Sequence, residues 1–182
     1  EARRVPWAAV HVFQVDERVA PDGDPARNWT PLEDALLSFA PIPPAQAHAM
    51  AVGACRDDAD LAAAAAAYAR ALEDACGTPP VLDLGHTASL VPGDPVCAVA
   101  DADVAFTAAP YQGHRRVTLT VPALGRARRQ LWVVTGAEKS DALARLLAGD
   151  AGIPAGRVAA ASPDALVLAD RAAAGTRAFS AS

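Results

Sequence analysis

Four short stretches of this chain place chemically capable side chains beside apolar runs. In "VLDLGHTASLVPGDP" (81–95) a histidine, His86, follows Gly85 and precedes the small hydroxyl residues Thr87 and Ser89. Imidazole is the side chain whose ordinary pKa lets it take and return a proton near neutrality. Ser89 lacks the G-x-S-x-G setting of a strained nucleophile, so a serine hydrolase reading has little support. In "QLWVVTGAEK" (130–139) Lys139 falls in the first turn of an expected helix. A helix N-terminus disfavours a cation and favours an anion. A lysine there makes sense with a phosphate held between it and the free N–H groups; the plain alternative is a lysine pointing to water, at a cost of ~0.5 kcal/mol. Asp16, Glu17 and Arg18 directly follow "HVFQV", where they would either grip a polar ligand or form a solvated turn. Arg115 and Arg116 open "VTLT". Paired guanidiniums suit bidentate phosphate contacts, but they stand at the start of their strand, so only an antiparallel run would carry them to the same rim.

The elements that must position these groups alternate between strand and helix. Strands are expected over 8–15, near 47–52, at 81–84, and over 103–109, 115–121, 130–136 and 164–170, with "VLDL" (81–84) as a buried strand. Helices are expected over 30–40, with Thr30 as the cap and Glu33 completing a capping box, over 57–76 with Gly77 past its end, over 122–129, and over 137–150 with Leu143, Leu146 and Leu147 on one face. Residues 21–28, "PDGDPARN", form a loop. The class is therefore α/β: an open, mostly parallel sheet flanked by helices, in which ligands bind outside the carboxyl ends of the strands.

Composition narrows the function. The chain has 182 residues, 52% hydrophobic and 20% charged, which suits one globular domain over 1–182. A net charge of -5 argues against a nucleic-acid surface or a polybasic membrane patch, and no apolar run is long enough to span a bilayer. Cys55, Cys76 and Cys97 are odd in number, match no zinc or redox spacing, and read as reduced thiols of a cytoplasmic protein. The four histidines are scattered, so no metal is expected.

Five segments, "VHVFQVDERVAPDGDPARN" (10–28), "GHTASLVPGDP" (85–95), "PYQGHRRVTLTVPAL" (110–124), "LWVVTGAEK" (131–139) and "IPAGRV" (153–158), occur in an order that resembles the family of glucosamine-6-phosphate isomerases and 6-phosphogluconolactonases. The resemblance implies hydrolysis of 6-phospho-D-glucono-1,5-lactone in the oxidative pentose phosphate pathway, without metal or organic cofactor, by a monomer or weak homo-oligomer. It implies His86 as the catalytic base, and Arg18, Arg116 and Lys139 as phosphate and substrate contacts, joined by Asp16, Glu17 and Thr87. Backbone N–H groups of 85–88 are candidates for the oxyanion. The alternatives are an isomerase/deaminase on the same fold and a sugar-phosphate-binding domain without turnover. The resemblance also implies features this sequence lacks: an N-terminal strand–helix region ahead of Glu1, and a Gly-rich loop of roughly eight residues between Leu84 and Gly85, carrying an aspartate two residues before the histidine. Gln14 replaces a common aromatic, and Arg27 stands where the family usually has serine.

Overall fold

A computed structural model describes residues 5–85, 88, 90–162 and 164–175. Its strands are β1 (Val12–Phe13), β2 (Asp16–Arg18), β3 (Ala47–His48), β4 (Leu84–Gly85), β5 (Val104–Phe106), β6 (Arg116–Leu119), β7 (Arg129–Val134) and β8 (Ala165–Ala169). Its helices are α1 (Trp29–Leu32), continued by a wider turn over Glu33–Leu37, then α2 (Asp58–Cys76), α3 (Val121–Gly125), α4 (Ser140–Leu147), α5 (Pro154–Ala161) and α6 (Arg171–Ala174).

The strands form three sheets. β1 and β3 pair in parallel, and β4–β7–β8 is parallel throughout, while β2–β6–β5 is antiparallel. Mixed α/β architecture with mostly parallel sheets is thus present, and the antiparallel sheet is the addition that matters for the site.

The long helix follows its sequence closely. Asp57 caps α2 by accepting from the Asp60 N–H, Asp58 and Asp60 complement the positive end, and Gly77 stops it at φ 85°. Leu61, Ala65, Tyr68 and Leu72 recur at the helical period and are buried. Between them and the sheets lies one core that includes Met50, Val117, Leu119, Leu124, Trp132 and Val158.

Four expectations need correction. The run 8–15 is not one strand. A single turn occupies Trp7–Ala9, β1 is two residues long, and the chain changes sheet at Gln14 and Val15 before β2 begins. The buried Gln14 side chain makes that change, accepting from the Met50 N–H at 2.8 Å and donating to Glu17 at 2.8 Å. The charged triplet is therefore itself a strand, and not a solvated turn. Second, the capping box at Thr30 does not form. The helix starts at Trp29, the Thr30 hydroxyl turns back to the Asp24 carbonyl, and a carboxylate from 12 residues before Trp29 accepts the N–H groups of the cap residue Asn28 and of Trp29. Third, Leu84 is not interior: β4 is an edge strand of its sheet, and Leu84 is 57% exposed. Its neighbour Gly85 is buried so close to Ala127 that a Cβ there would sit 3.0 Å from the alanine's. Fourth, Leu143 and Leu146 are buried, but Leu147, the last residue of α4, is half-exposed.

Candidate active site

The pleat decides where the triplet points. Successive residues of a strand face opposite sides, so Asp16 and Arg18 share one face and Glu17 takes the other. On the antiparallel partner, Arg116 stands directly opposite Arg18, and Thr118 opposite Asp16. This is the run that Arg116 needs to reach the Arg18 rim. The neighbouring Arg115 faces the other way. Its guanidinium donates to the Thr107 carbonyl and pairs with Asp58 at the surface.

A cleft of ≈ 550 Å³ opens on this face. Gln14, Asp16, Arg18, Asn28 and Arg116 supply its polar wall, and Phe13, Leu32 and Leu131 part of its apolar one. Gly85 and Ala88 also line it. The cleft therefore lies where the chain leaves β1 and β4, at the carboxyl ends of two parallel strands, as expected for an open α/β fold.

Two like charges directly across a strand pair repel. Arg18 and Arg116 are held there nonetheless, and both are more than half withdrawn from water; Arg116 is only 7% exposed. Arg18 donates through Nη1 to the Ala26 carbonyl at 2.8 Å, while its Nε has no acceptor among the described residues. Arg116 lies over the Tyr111 ring, 5.2 Å from its centroid, with Nη2 3.4 Å from Gln112 Oε1. Burial and the adjacent Arg18 charge hold the Arg116 pKa below its ordinary value, against the opposing pull of Asp16 and Tyr111. Two guanidiniums so placed have the chemistry to share an anion.

The remaining candidates separate. Glu17 is fully buried and does not line the cleft. Its carboxylate accepts from Gln14 Nε2, the Arg18 N–H, Arg27 Nε, the Asn28 N–H and the Trp29 N–H, all at 2.7–3.1 Å. Burial raises its pKa, but the hydrogen bonds from Gln14, Asn28, Arg18 and Trp29 together outweigh that and leave it lowered. Lys139 ends a single turn, Ala137–Lys139, just ahead of α4 and lines a different depression of ≈ 420 Å³ with Trp132 and Leu143. The structure thus brings Asp16, Arg18 and Arg116 together, but not Glu17 or Lys139 with them. His86, Thr87 and Ser89 lie outside the described residues.

Sequence reasoning missed Gln14 and Asn28 as members of the cleft and Arg27 as the buried counter-ion of Glu17. A lone amide inside the apolar run "VFQV" was the available signal for Gln14, since a buried amide must find partners.

An α/β cleft at the carboxyl ends of parallel strands, with two facing arginines on its polar wall, has the chemistry to take a small anionic ligand. Comparison with known proteins narrows that class. The model of the glucosamine-6-phosphate isomerases/6-phosphogluconolactonase family matches residues 1–167, and this chain belongs to that family. It is 37% identical over 163 residues to the 6-phosphogluconolactonase of Mycobacterium tuberculosis, covering 82% of this chain and 65% of the relative, and 36% identical over 160 residues to that of Streptomyces coelicolor, covering 80% and 61%. The chain thus spans somewhat less than two thirds of these relatives' length. Among solved structures, the 6-phosphogluconolactonase of Thermotoga maritima superposes with a TM-score of 0.76 at 25% identity, over 92% of this chain and 76% of the other.

Proposed function

We propose that the protein is a 6-phosphogluconolactonase, which hydrolyses 6-phospho-D-glucono-1,5-lactone to 6-phosphogluconate. The observation that carries this reading is the Arg18–Arg116 pair, set face to face in the cleft that Gly85 and Ala88 also line. Those two residues flank His86 and Thr87 in the sequence. In the proposed reaction His86 takes a proton from water, and the oxygen attacks the lactone carbonyl. Backbone N–H groups of 85–88 receive the oxyanion, and the proton on His86 returns to the ring oxygen as the ring opens. Arg18 and Arg116 hold the distant phosphate and so fix the lactone relative to the base, with Asp16, Asn28 and Thr87 offering polar contacts to the sugar. Lys139 enters the proposal through the family resemblance alone. No metal and no organic cofactor are required.

Among the described residues no helix is long and apolar enough to cross a membrane. We place the protein in the cytoplasm, as a monomer or weak homo-oligomer acting on a small sugar phosphate.

The test is lactone turnover. Glucose-6-phosphate dehydrogenase generates the lactone, and 6-phosphogluconate dehydrogenase reports its hydrolysis. Acceleration above the spontaneous rate supports the proposal. A rate equal to the spontaneous one, or ammonia release from glucosamine-6-phosphate in its place, overturns it.

A further inference from the structure

The Glu17 carboxylate is fully buried behind the strand that carries Arg18, yet the groups it holds belong to the cleft. Oε1 accepts the backbone N–H groups of Arg18 and Asn28, both at 2.7 Å. Oε2 accepts from Gln14 Nε2 at 2.8 Å and from the Trp29 N–H at 3.0 Å. Gln14, Arg18 and Asn28 all line the cleft, and Trp29 begins α1. Two further bonds close the same loop onto β2: Asn28 Nδ2 donates to the Asp16 carbonyl, and Arg18 Nη1 to the Ala26 carbonyl. A single carboxylate thus ties the strand, the 21–28 loop and the first turn of a helix into one frame. Arg27 supplies the compensating charge. Its Nε donates to Glu17 at 3.1 Å, its Nη1 pairs with Asp22, and its Nη2 donates to the Met50 carbonyl, with the residue only 3% exposed.

We propose that Glu17 is a positioning residue for anion binding, acting through Arg18 and Asn28, and that Arg27 is the counter-ion that lets a carboxylate do so from the interior. The physical ground is preorganisation. Arg18 faces a second arginine, so its guanidinium must be restrained against that repulsion before any ligand arrives. The Arg18 backbone N–H donates to Glu17, and its Nη1 donates to the Ala26 carbonyl in the loop whose next two residues, Arg27 and Asn28, also donate to Glu17. The proposal rests on the reading of the cleft as a phosphate site.

The test compares Glu17→Gln with the charge-balanced Glu17→Gln/Arg27→Gln, which leaves no lone buried ion if the single variant fails to fold. Affinity for 6-phosphogluconate is read by calorimetry, and KM and kcat are read on phosphorylated and unphosphorylated gluconolactone, with the melting temperature as a fold control. The expected result is weaker 6-phosphogluconate binding and a higher KM for the phosphorylated lactone, each by roughly tenfold, about one charge-assisted hydrogen bond. Turnover number, and every constant for the unphosphorylated lactone, should change by less than about threefold, well under that figure. Unchanged affinity in a folded variant overturns the positioning role, as do equal losses on both lactones, which would mark Glu17 as structural only. If the wild-type chain binds 6-phosphogluconate but turns nothing over, the lactonase reading fails while the affinity comparison still decides the role of Glu17. If it does not bind 6-phosphogluconate at all, both fall.

Discussion

The antiparallel sheet β2–β6–β5 and the parallel sheet β4–β7–β8 bury their residues in opposite ways. All four residues of β6 are buried, and the layer around it encloses Gln14, Glu17, Arg27 and Thr107 as well as Val117 and Leu119. The parallel sheet packs Gln130 and Trp132 towards α3, α4 and α5, while Val133, Leu166 and Leu168 on its other face stay about half exposed. Parallel sheets ordinarily have both faces covered. The buried ion pair Arg27–Glu17 thus lies in the layer that holds Arg18 opposite Arg116, while the described part of the parallel sheet is closely packed on one side only.

The largest effect should come from breaking the ionic layer one-sidedly. Glu17→Ala leaves Arg27 buried beside only the exposed Asp22 and strips acceptors from three backbone N–H groups; a loss of about 3–5 kcal/mol is expected in urea unfolding. Next comes the apolar contrast between the sheets. Leu119→Ala, at a site with no exposure, should cost about 2–5 kcal/mol, whereas Leu166→Ala on the open face should stay within about 0.5 kcal/mol. Equal costs would mean that the open face is covered in solution. Arg116→Ala should weaken phosphorylated ligand by about 1.5–3 kcal/mol, and unphosphorylated gluconolactone much less. Lys139→Ala, in its separate depression, should have the smaller effect if the geometry of the two arginines dominates.

The pH dependence sharpens the same contrast. The Glu17 pKa is lowered from its ordinary 4.5. A carboxylate with a depressed folded pKa contributes stability that is complete above its unfolded value and is lost as the pH falls through the folded one. Stability should therefore decline below about pH 4.5, the unfolded glutamate value, in the wild type and less steeply in Glu17→Gln/Arg27→Gln.

Much of this was legible beforehand, for identifiable reasons. Asp57 and Gly77 bracket α2, and β-branched and aromatic runs announced β5, β6, β7 and β8. Pro122 points to the opening of α3 in the sequence, and the Thr120 hydroxyl caps the helix from two residues earlier. The switch of sheet at Gln14 was not legible, because a buried amide at that bend needs both the nearby Glu17 carboxylate, turned inward, and the distant Met50 N–H. Helix α5 gave no cap signal, and Gly156 within it obscured the period; there a Cβ would meet the Asp150 carbonyl at 2.0 Å, so packing and not propensity selects glycine. The site was half legible. The types of Arg18 and Arg116 pointed to an anion, but the pairing that sets them opposite each other, and turns Glu17 inward, depends on an antiparallel neighbour 98 residues further along the chain.

The proposed reaction depends on the His86 imidazole acting beside the arginine pair, so replacement of His86 removes the chemistry while sparing the anion site. His86→Ala should lower lactone hydrolysis by about 10²–10⁴-fold after subtraction of the spontaneous rate, while 6-phosphogluconate affinity stays at the wild-type value. Wild-type turnover in that variant would contradict the account.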